Sequence, residues 1–505
     1  MSHVIVIGAG VGGLAATTRL AAMGHRVTLV EQAAQVGGKL GRDDIDGFLF
    51  DTGPSLLTLP QVLAELFGAT GAPLAESGID LQRLDIACRY RFPDGATVDL
   101  PGDMDAIPGA LDAALGAGRG AQWSAFLTRA ARIWDVTEQP FLRSPIDVGT
   151  MVRLARSLAD VVTVAPWRSL RGIGARHLSD PRLRMLLDRY ATYTGSDPRR
   201  APAALATVPY AEQAFGSWYI PGGLYRLAEE LVARAEALGV EVRLGTEVAE
   251  VLTSSTGVRG VRLTDDTVID ADVVVANADA RVVYEQLLPA PDRATRAVAR
   301  RVRRSTRSFS GFVLLLALDD APSDQPHHTV LFADDYDAEF DAVFGRGGPP
   351  RPVHRPTVYI SAPSDPAVAP ESGSGAWFVL VNAPPHDPDG GTDWDAPGRR
   401  ESYADHILDV MADRGVDIAD RIRHRRIITP ADLERRTHTP GGSIYGTASN
   451  SASAAFLRPA NRSPVPGLYL VGGSSHPGGG LPLVMMSAEI VAAMIGPATS
   501  PPKVP

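Results

Sequence analysis

One cysteine, Cys88, stands in 505 residues, so no disulfide can form within the chain and a disulfide-stapled secreted scaffold is excluded. A reducing compartment follows as the expectation. Aromatic residues make up only 6%, and lysine is almost missing: of 49 basic residues, 47 are arginines and only Lys39 and Lys503 are lysines. With so much Ala, Gly and Pro, a GC-rich coding bias accounts for that choice. Long apolar runs are lacking too. The longest, residues 311–318 and 376–381, fall far short of the roughly 18–20 needed to span a bilayer. No basic region precedes an apolar stretch at the N-terminus, so a signal-peptide pattern is absent and a cytoplasmic protein is expected. The acidic excess, a net charge of −9, gives no footprint for nucleic acid. What remains is an ordinary folded composition, 45% hydrophobic and 21% charged, long enough for two or three structural units.

The charge is uneven. Residues 143–200 hold 11 arginines against 5 aspartates, a basic segment in an acidic chain. The N-terminus opens on Val4-Ile5-Val6-Ile7, a buried parallel strand by its β-branched run. It enters Gly8-Ala9-Gly10-Val11-Gly12-Gly13, then a helical pattern over residues 14–23, then Val27-Thr28-Leu29-Val30 ending on Glu31. That is a βαβ unit with GxGxxG on Gly8, Gly10 and Gly13, the fold class being α/β with a Rossmann-type nucleotide domain. Gly8 allows the tight turn, Gly10 lets the backbone approach a pyrophosphate, and Gly13 brings helix and strand together. Free N–H groups at the helix start meet the phosphates. Glu31 bonds ribose hydroxyls and repels a 2′-phosphate. The unit alone does not separate FAD from NAD.

Further on come Gly37-Gly38-Lys39 and Phe50-Asp51-Thr52-Gly53-Pro54. Here the sequence resembles the glutathione-reductase-like FAD oxidoreductases, which include the amine oxidases and carotenoid desaturases. The resemblance implies that Gly37, Gly38 and Lys39 lie along the ribose and pyrophosphate of FAD, and that Gly53 and Pro54 approach the flavin. It also implies that Val248 touches the adenine side through its backbone. At the C-terminal end, Gly467-Leu468-Tyr469-Leu470-Val471-Gly472-Gly473 is a strand running into glycines. Ser474-Ser475-His476-Pro477-Gly478-Gly479-Gly480-Leu481-Pro482 follows as a loop opening a helix. This block is similar to the phytoene desaturase family, with Gly473, Gly480, Leu481 and Pro482 at the flavin and a helix dipole to stabilise its reduced, negative ring. Gly473, Ser474, Ser475, Gly479 and Leu483 depart from the usual phytoene desaturase pattern. Pro440-Gly441-Gly442-Ser443-Ile444-Tyr445-Gly446 is more like enzymes acting on partly desaturated or hydroxylated carotenoids.

The resemblance covers nearly the whole chain and implies a discontinuous FAD domain. Its parts fall at residues 1–104, 222–295 and 440–497, with a tail over 498–505. A helical lid or membrane-contact region occupies 105–221, and a sheet-rich substrate domain 296–439. It implies FAD as cofactor and a reaction that removes hydride and proton from an acyclic carotenoid, with oxygen or a quinone as final acceptor. Rivals are a flavin-dependent carotenoid oxygenase or isomerase, an amine oxidase-like enzyme, and a prenyl-lipid carrier of the GDP-dissociation-inhibitor type. Such chemistry needs a dry apolar slot rather than a triad or metal, and His327-His328 has no third ligand at metal spacing. His476 has two readings, a functional one at the flavin and a structural one bracing its loop. Residues 151–166 form an amphipathic pattern with Trp167 beyond it, either a packed helix or one lying on a membrane surface. The resemblance places Arg153 of this stretch near the flavin, and with His476 it completes the catalytic candidates. The expected partners are a carotenoid and a membrane surface, the protein being cytoplasmic and peripherally attached. Oligomeric state is not legible.

Overall fold

The computed structural model describes residues 1–146, 149, 157–289, 291–451, 454 and 458–498. Its first strand, His3–Ile7, lies in the middle of a five-stranded sheet in the order Leu468–Leu470, Val273–Ala276, His3–Ile7, Arg26–Val30, Glu241–Arg243. Every pairing is parallel, with Val4 opposite Val273 and Val27. Alternate side chains of a strand point to opposite faces, and both faces here are covered. Val4 and Val6 enter a core with Leu14 and Ala15 of helix Val11–Ala22 and Met485 and Ala488 of helix Leu481–Ile495. Ile5 and Ile7 enter a second core with Val251 and Val261. Four β-branched residues in a row are therefore satisfied by two layers, each fully buried side chain contributing about 1.5–3 kcal/mol.

The chain returns to this sheet three times after leaving it, through Glu241–Arg243, Val273–Ala276 and Leu468–Leu470. Residues 240–244, which by alternation look like the first strand of an antiparallel meander, instead add a fifth parallel strand, with Thr28 opposite Glu241. The meander itself is Val248–Ser254, Gly257–Leu263 and Val268–Asp270. Alternation reports which side chains are buried, not the direction of the neighbouring strand.

A second, mixed sheet of seven strands has Ser310–Leu318 buried at all nine positions between Gly375–Ala383 and Ile422–Ile428. It continues through Val358–Ser361 and His328–Leu331 to Ile86–Arg91 and Thr97–Pro101. The last two strands fall within residues 1–104, so that span serves both sheets. The physical reason is aromatic packing. Tyr90 and Phe92 stack on Phe332 at 6.0 and 5.1 Å, which pins Ile86–Arg91 alongside His328–Leu331.

The described residues between 105 and 221 are mainly helical. Arg119–Thr137 buries Trp123, Phe126, Ile133 and Trp134 at helical spacing, and Trp123 Nε1 donates to Gln213 Oε1 at 2.9 Å. Helix Leu158–Val164 starts on the Ser157 hydroxyl, which accepts from the Asp160 N–H. Its Leu158 and Val162, with Trp167 just beyond, are 78%, 53% and 63% exposed. Arg153, Arg156 and the rest of residues 151–156 lie outside the described residues. No helix among the described residues is long and apolar enough to cross a membrane.

Candidate functional site

One continuous cavity of about 490 Å³ runs from the glycine turn of the parallel sheet to the seven-stranded sheet. Gly8, Gly10, Gly12, Glu31, Gly37, Gly38, Lys39, Gly53, Pro54 and Val248 line it, as do Gly473, Gly480, Leu481 and Pro482. Its other walls carry Phe309, Val313, Tyr359, Phe378, Leu380 and Ile444. A nucleotide cradle and an apolar slot thus share one continuous space.

The cradle is shaped by contacts that only glycine permits. At Gly8, φ +93°, a Cβ would sit 2.6 Å from the Asn277 carbonyl oxygen, and at Gly10 2.8 Å from Asn277 Nδ2. Asn277 Nδ2 donates to the Gly8 carbonyl. At Gly13, which lies behind the cavity wall, a Cβ would fall 2.0 Å from the Gly8 carbonyl oxygen. Asn277 is therefore a site residue that the motif alone does not disclose, although it ends the strand beside the glycine turn.

Glu31 grips this turn directly. Oε2 accepts from the Ala9 N–H at 2.6 Å and Oε1 from the Ala33 N–H at 2.8 Å. Each carboxylate oxygen retains a further lone pair for a ribose hydroxyl. Two helices open onto the cavity without a side-chain cap: Val11–Ala22 at Gly10 and Leu481–Ile495 at Gly480. Uncapped N-terminal N–H groups attract negative charge. Val248 begins its strand at the cavity edge, where Thr246 N–H donates to the Glu31 carbonyl at 2.8 Å.

Buried cations hold the loops around this cradle. Lys39 Nζ donates to the carbonyls of Ser443 and Ile444 at 2.9 and 2.7 Å. Desolvation pushes its ammonium down to about 8, with Asp279 opposing and Arg436 adding to the shift. Arg458 donates to the carbonyls of Tyr445, Gly473 and Thr447. Burial lowers its guanidinium to about 10, against the pull of Asp279. Arg436 donates to Thr52 Oγ1 at 2.6 Å. Gly53 packs so closely on this assembly that a Cβ would lie 1.8 Å from the Lys39 carbonyl oxygen. Asp51, beside that turn, accepts the N–H groups of Leu224 and Tyr225 and is pushed up to about 6, chiefly by burial.

His476 is fully buried and does not line the cavity. Its Nε2 donates to the carbonyls of Phe141 and Ser144 at 2.7 and 3.0 Å, tying the C-terminal loop to the helical region. Burial holds the ring at about 4, so it is neutral near pH 7. Of its two readings, the bracing one matches this geometry. Arg153, the other catalytic candidate, is outside the described residues. Cys88 is a buried small hydrophobe whose thiol burial pushes up to about 12.

A parallel sheet, a glycine turn gripped by an acid, and two uncapped helix starts on one cavity define a dinucleotide-binding flavoprotein oxidoreductase. FAD fits this donor set, and the protein is an FAD-dependent oxidoreductase. Residues 11–495 match the family of flavin containing amine oxidoreductases, and the chain belongs to it. It is 34% identical over 497 residues to a 4,4'-diapolycopene oxygenase of Methylomonas sp, covering 97% of each chain. It is 35% identical over 510 residues to a hydroxyneurosporene desaturase of Rubrivivax gelatinosus, covering 97% of this chain and 92% of that one. In fold it is similar to an oxidoreductase from Methanosarcina mazei, at a TM-score of 0.65 and 16% identity over 97% of this chain and 100% of the other.

Proposed function

We propose that this flavoprotein is a carotenoid desaturase, removing a hydride and a proton from neighbouring carbons of an acyclic carotenoid to place a double bond between them. One observation carries the reading: the nucleotide cradle and an apolar slot are parts of the same cavity. When bound, FAD supplies the hydride acceptor that no side chain can replace. The chain's own residues do the rest. Phe309, Val313, Phe378 and Leu380 give a dry wall along which a polyene lies flat, excluding water from the reacting carbons. Lys39 and Arg458 fix the loops on either side through backbone carbonyls, so the slot keeps its alignment with the cradle.

The same reading puts the protein at a membrane surface on the cytoplasmic side, since a carotenoid is taken from a bilayer. Leu158, Val162 and Trp167 support it, three large apolar side chains left in water within ten residues. The reaction is tested by mixing the FAD-loaded protein with acyclic carotenoids in liposomes without oxygen. Bleaching of the flavin band by a carotenoid is expected. Reduction by amines but by no carotenoid would move the assignment to an amine oxidase-like enzyme.

A further inference from the structure

A guanidinium on the wall of a slot for hydrocarbon is costly unless something satisfies it. Arg189, the last residue of helix Pro181–Arg189, stands on that wall. Its Cζ lies 5.1 Å from the Tyr193 ring centre and 5.5 Å from that of Tyr359. Among the described residues its side chain makes one hydrogen bond, from Nη1 to Thr192 Oγ1 at 2.7 Å, and has no carboxylate within ion-pair distance. Glu212 offsets the charge from further off. Both its oxygens are taken by the hydroxyls of Tyr190 and Tyr193 at 2.8 Å, leaving the guanidinium's other N–H groups uncommitted.

Arg189 differs from the arginine that braces the loops around the cradle. Arg458 spends its donors on three backbone carbonyls, as a loop-bracing arginine does. Arg189 makes no bond of that kind among the described residues and lines the cavity between Tyr193 and Tyr359, whose hydroxyls are engaged by Glu212 and by Ser55 and His328. The Tyr359 hydroxyl bonds Ser55 Oγ at 2.7 Å and His328 Nδ1 at 2.8 Å. Ser55 follows directly on Gly53-Pro54 of the cradle wall. Arg189 is therefore joined through Tyr359 to Ser55, and all three line the same cavity as Gly53 and Pro54.

We propose that Arg189 is a specificity-determining residue that binds an oxygen carried by the substrate close to the bond being desaturated. The substrate class is then an acyclic carotenoid bearing a hydroxyl or carbonyl near one end, rather than the parent hydrocarbon. This inference rests on the carotenoid reading above. A hydrocarbon would leave the charged donors unpaired, and a hydrogen bond to a charged group discriminates by about 10- to 100-fold.

The test compares, with FAD-loaded wild type, an acyclic carotenoid hydroxylated near its end and its unhydroxylated parent, both in liposomes. Binding is read from the pigment's own absorbance and turnover from product. The hydroxylated compound is expected to have a kcat/KM about 10-fold or more above its parent. Arg189→Met, checked for wild-type flavin content, should bring that ratio to near one, and Arg189→Lys should restore part of it. A wild type that prefers the hydrocarbon, or treats both alike, overturns the inference without touching the carotenoid reading, and so does a methionine variant that keeps the full preference. If neither compound is bound or turned over, the carotenoid reading falls and this inference with it. The wild-type comparison decides by itself if the methionine variant does not fold.

Discussion

Replacing Glu31 by Gln isolates what one carboxylate does for the nucleotide turn. The two oxygens of Glu31 hold the Ala9 and Ala33 N–H groups at 2.6 and 2.8 Å. An amide of the same shape offers a single acceptor oxygen, so its NH₂ end must face one of those two N–H groups, donor against donor. The change loses one charge-assisted bond and leaves a part-buried N–H unpaired. Together these cost about 2–3 kcal/mol. Ala9 lies between Gly8 and Gly10, so the disturbed turn has to be re-formed when the cofactor binds, and the cost enters the FAD dissociation constant. At about 1.4 kcal/mol per factor of ten, affinity should fall by about 30- to 150-fold. Titrating FAD into flavin-stripped protein, followed by quenching of flavin fluorescence, measures this directly. Binding within threefold of wild type would refute the reasoning and remove Glu31 from the cradle.

Gly13→Ala should abolish FAD retention on purification, because its Cβ would lie 2.0 Å from the Gly8 carbonyl oxygen and backbone cannot yield cheaply. Gly68→Ala, in helix Pro60–Ala69 with nothing within 4 Å, should leave flavin content unchanged and raise stability by up to about 1 kcal/mol. His476 is held at about 4 against 6.5 when unfolded, so the unfolded chain binds the extra proton between those values. Its contribution is intact above pH 6.5 and is lost as pH falls towards 4, by about 3 kcal/mol in all. Urea denaturation of wild type and His476→Gln should therefore differ less at pH 4.5 than at pH 7, and parallel pH curves would contradict this. Exchanging Leu158, Val162 and Trp167 for serine should reduce partitioning onto liposomes by about a hundredfold or more in flotation. Unchanged flotation would make that stretch an ordinary surface.

The nucleotide half was legible because its physics is local. Val4, Ile5, Val6 and Ile7 specify a strand covered on both faces, and Gly8, Gly10, Gly13 and Glu31 follow within one βαβ unit. The acid at the end of the second strand can be placed by counting. Family resemblance alone implies a place for Lys39 along the cofactor, and its acceptors, Ser443 and Ile444, are some 400 residues away and leave no trace near it. Asn277, Arg458 and Arg189 escaped for the same reason. Each is defined by what surrounds it after folding, and the helix that ends at Arg189 reads locally like any other basic amphipathic segment. Ile86–Arg91 shows the limit for topology, since its alternation fixes a buried face but not the sheet it joins. His476 marks the limit for roles, because a histidine in a glycine loop carries the same letters whether it reacts or braces.

The central claim is that this cavity desaturates a carotenoid. Its most direct test is the mass and absorption spectrum of the pigment recovered after the FAD-loaded protein has acted on an acyclic carotenoid in liposomes. A red-shifted product lighter by two hydrogens, with no oxygen gained, is the predicted result. A product that has gained oxygen would contradict the claim and make the protein an oxygenase, and unchanged pigments across the acyclic series would remove carotenoids from the account.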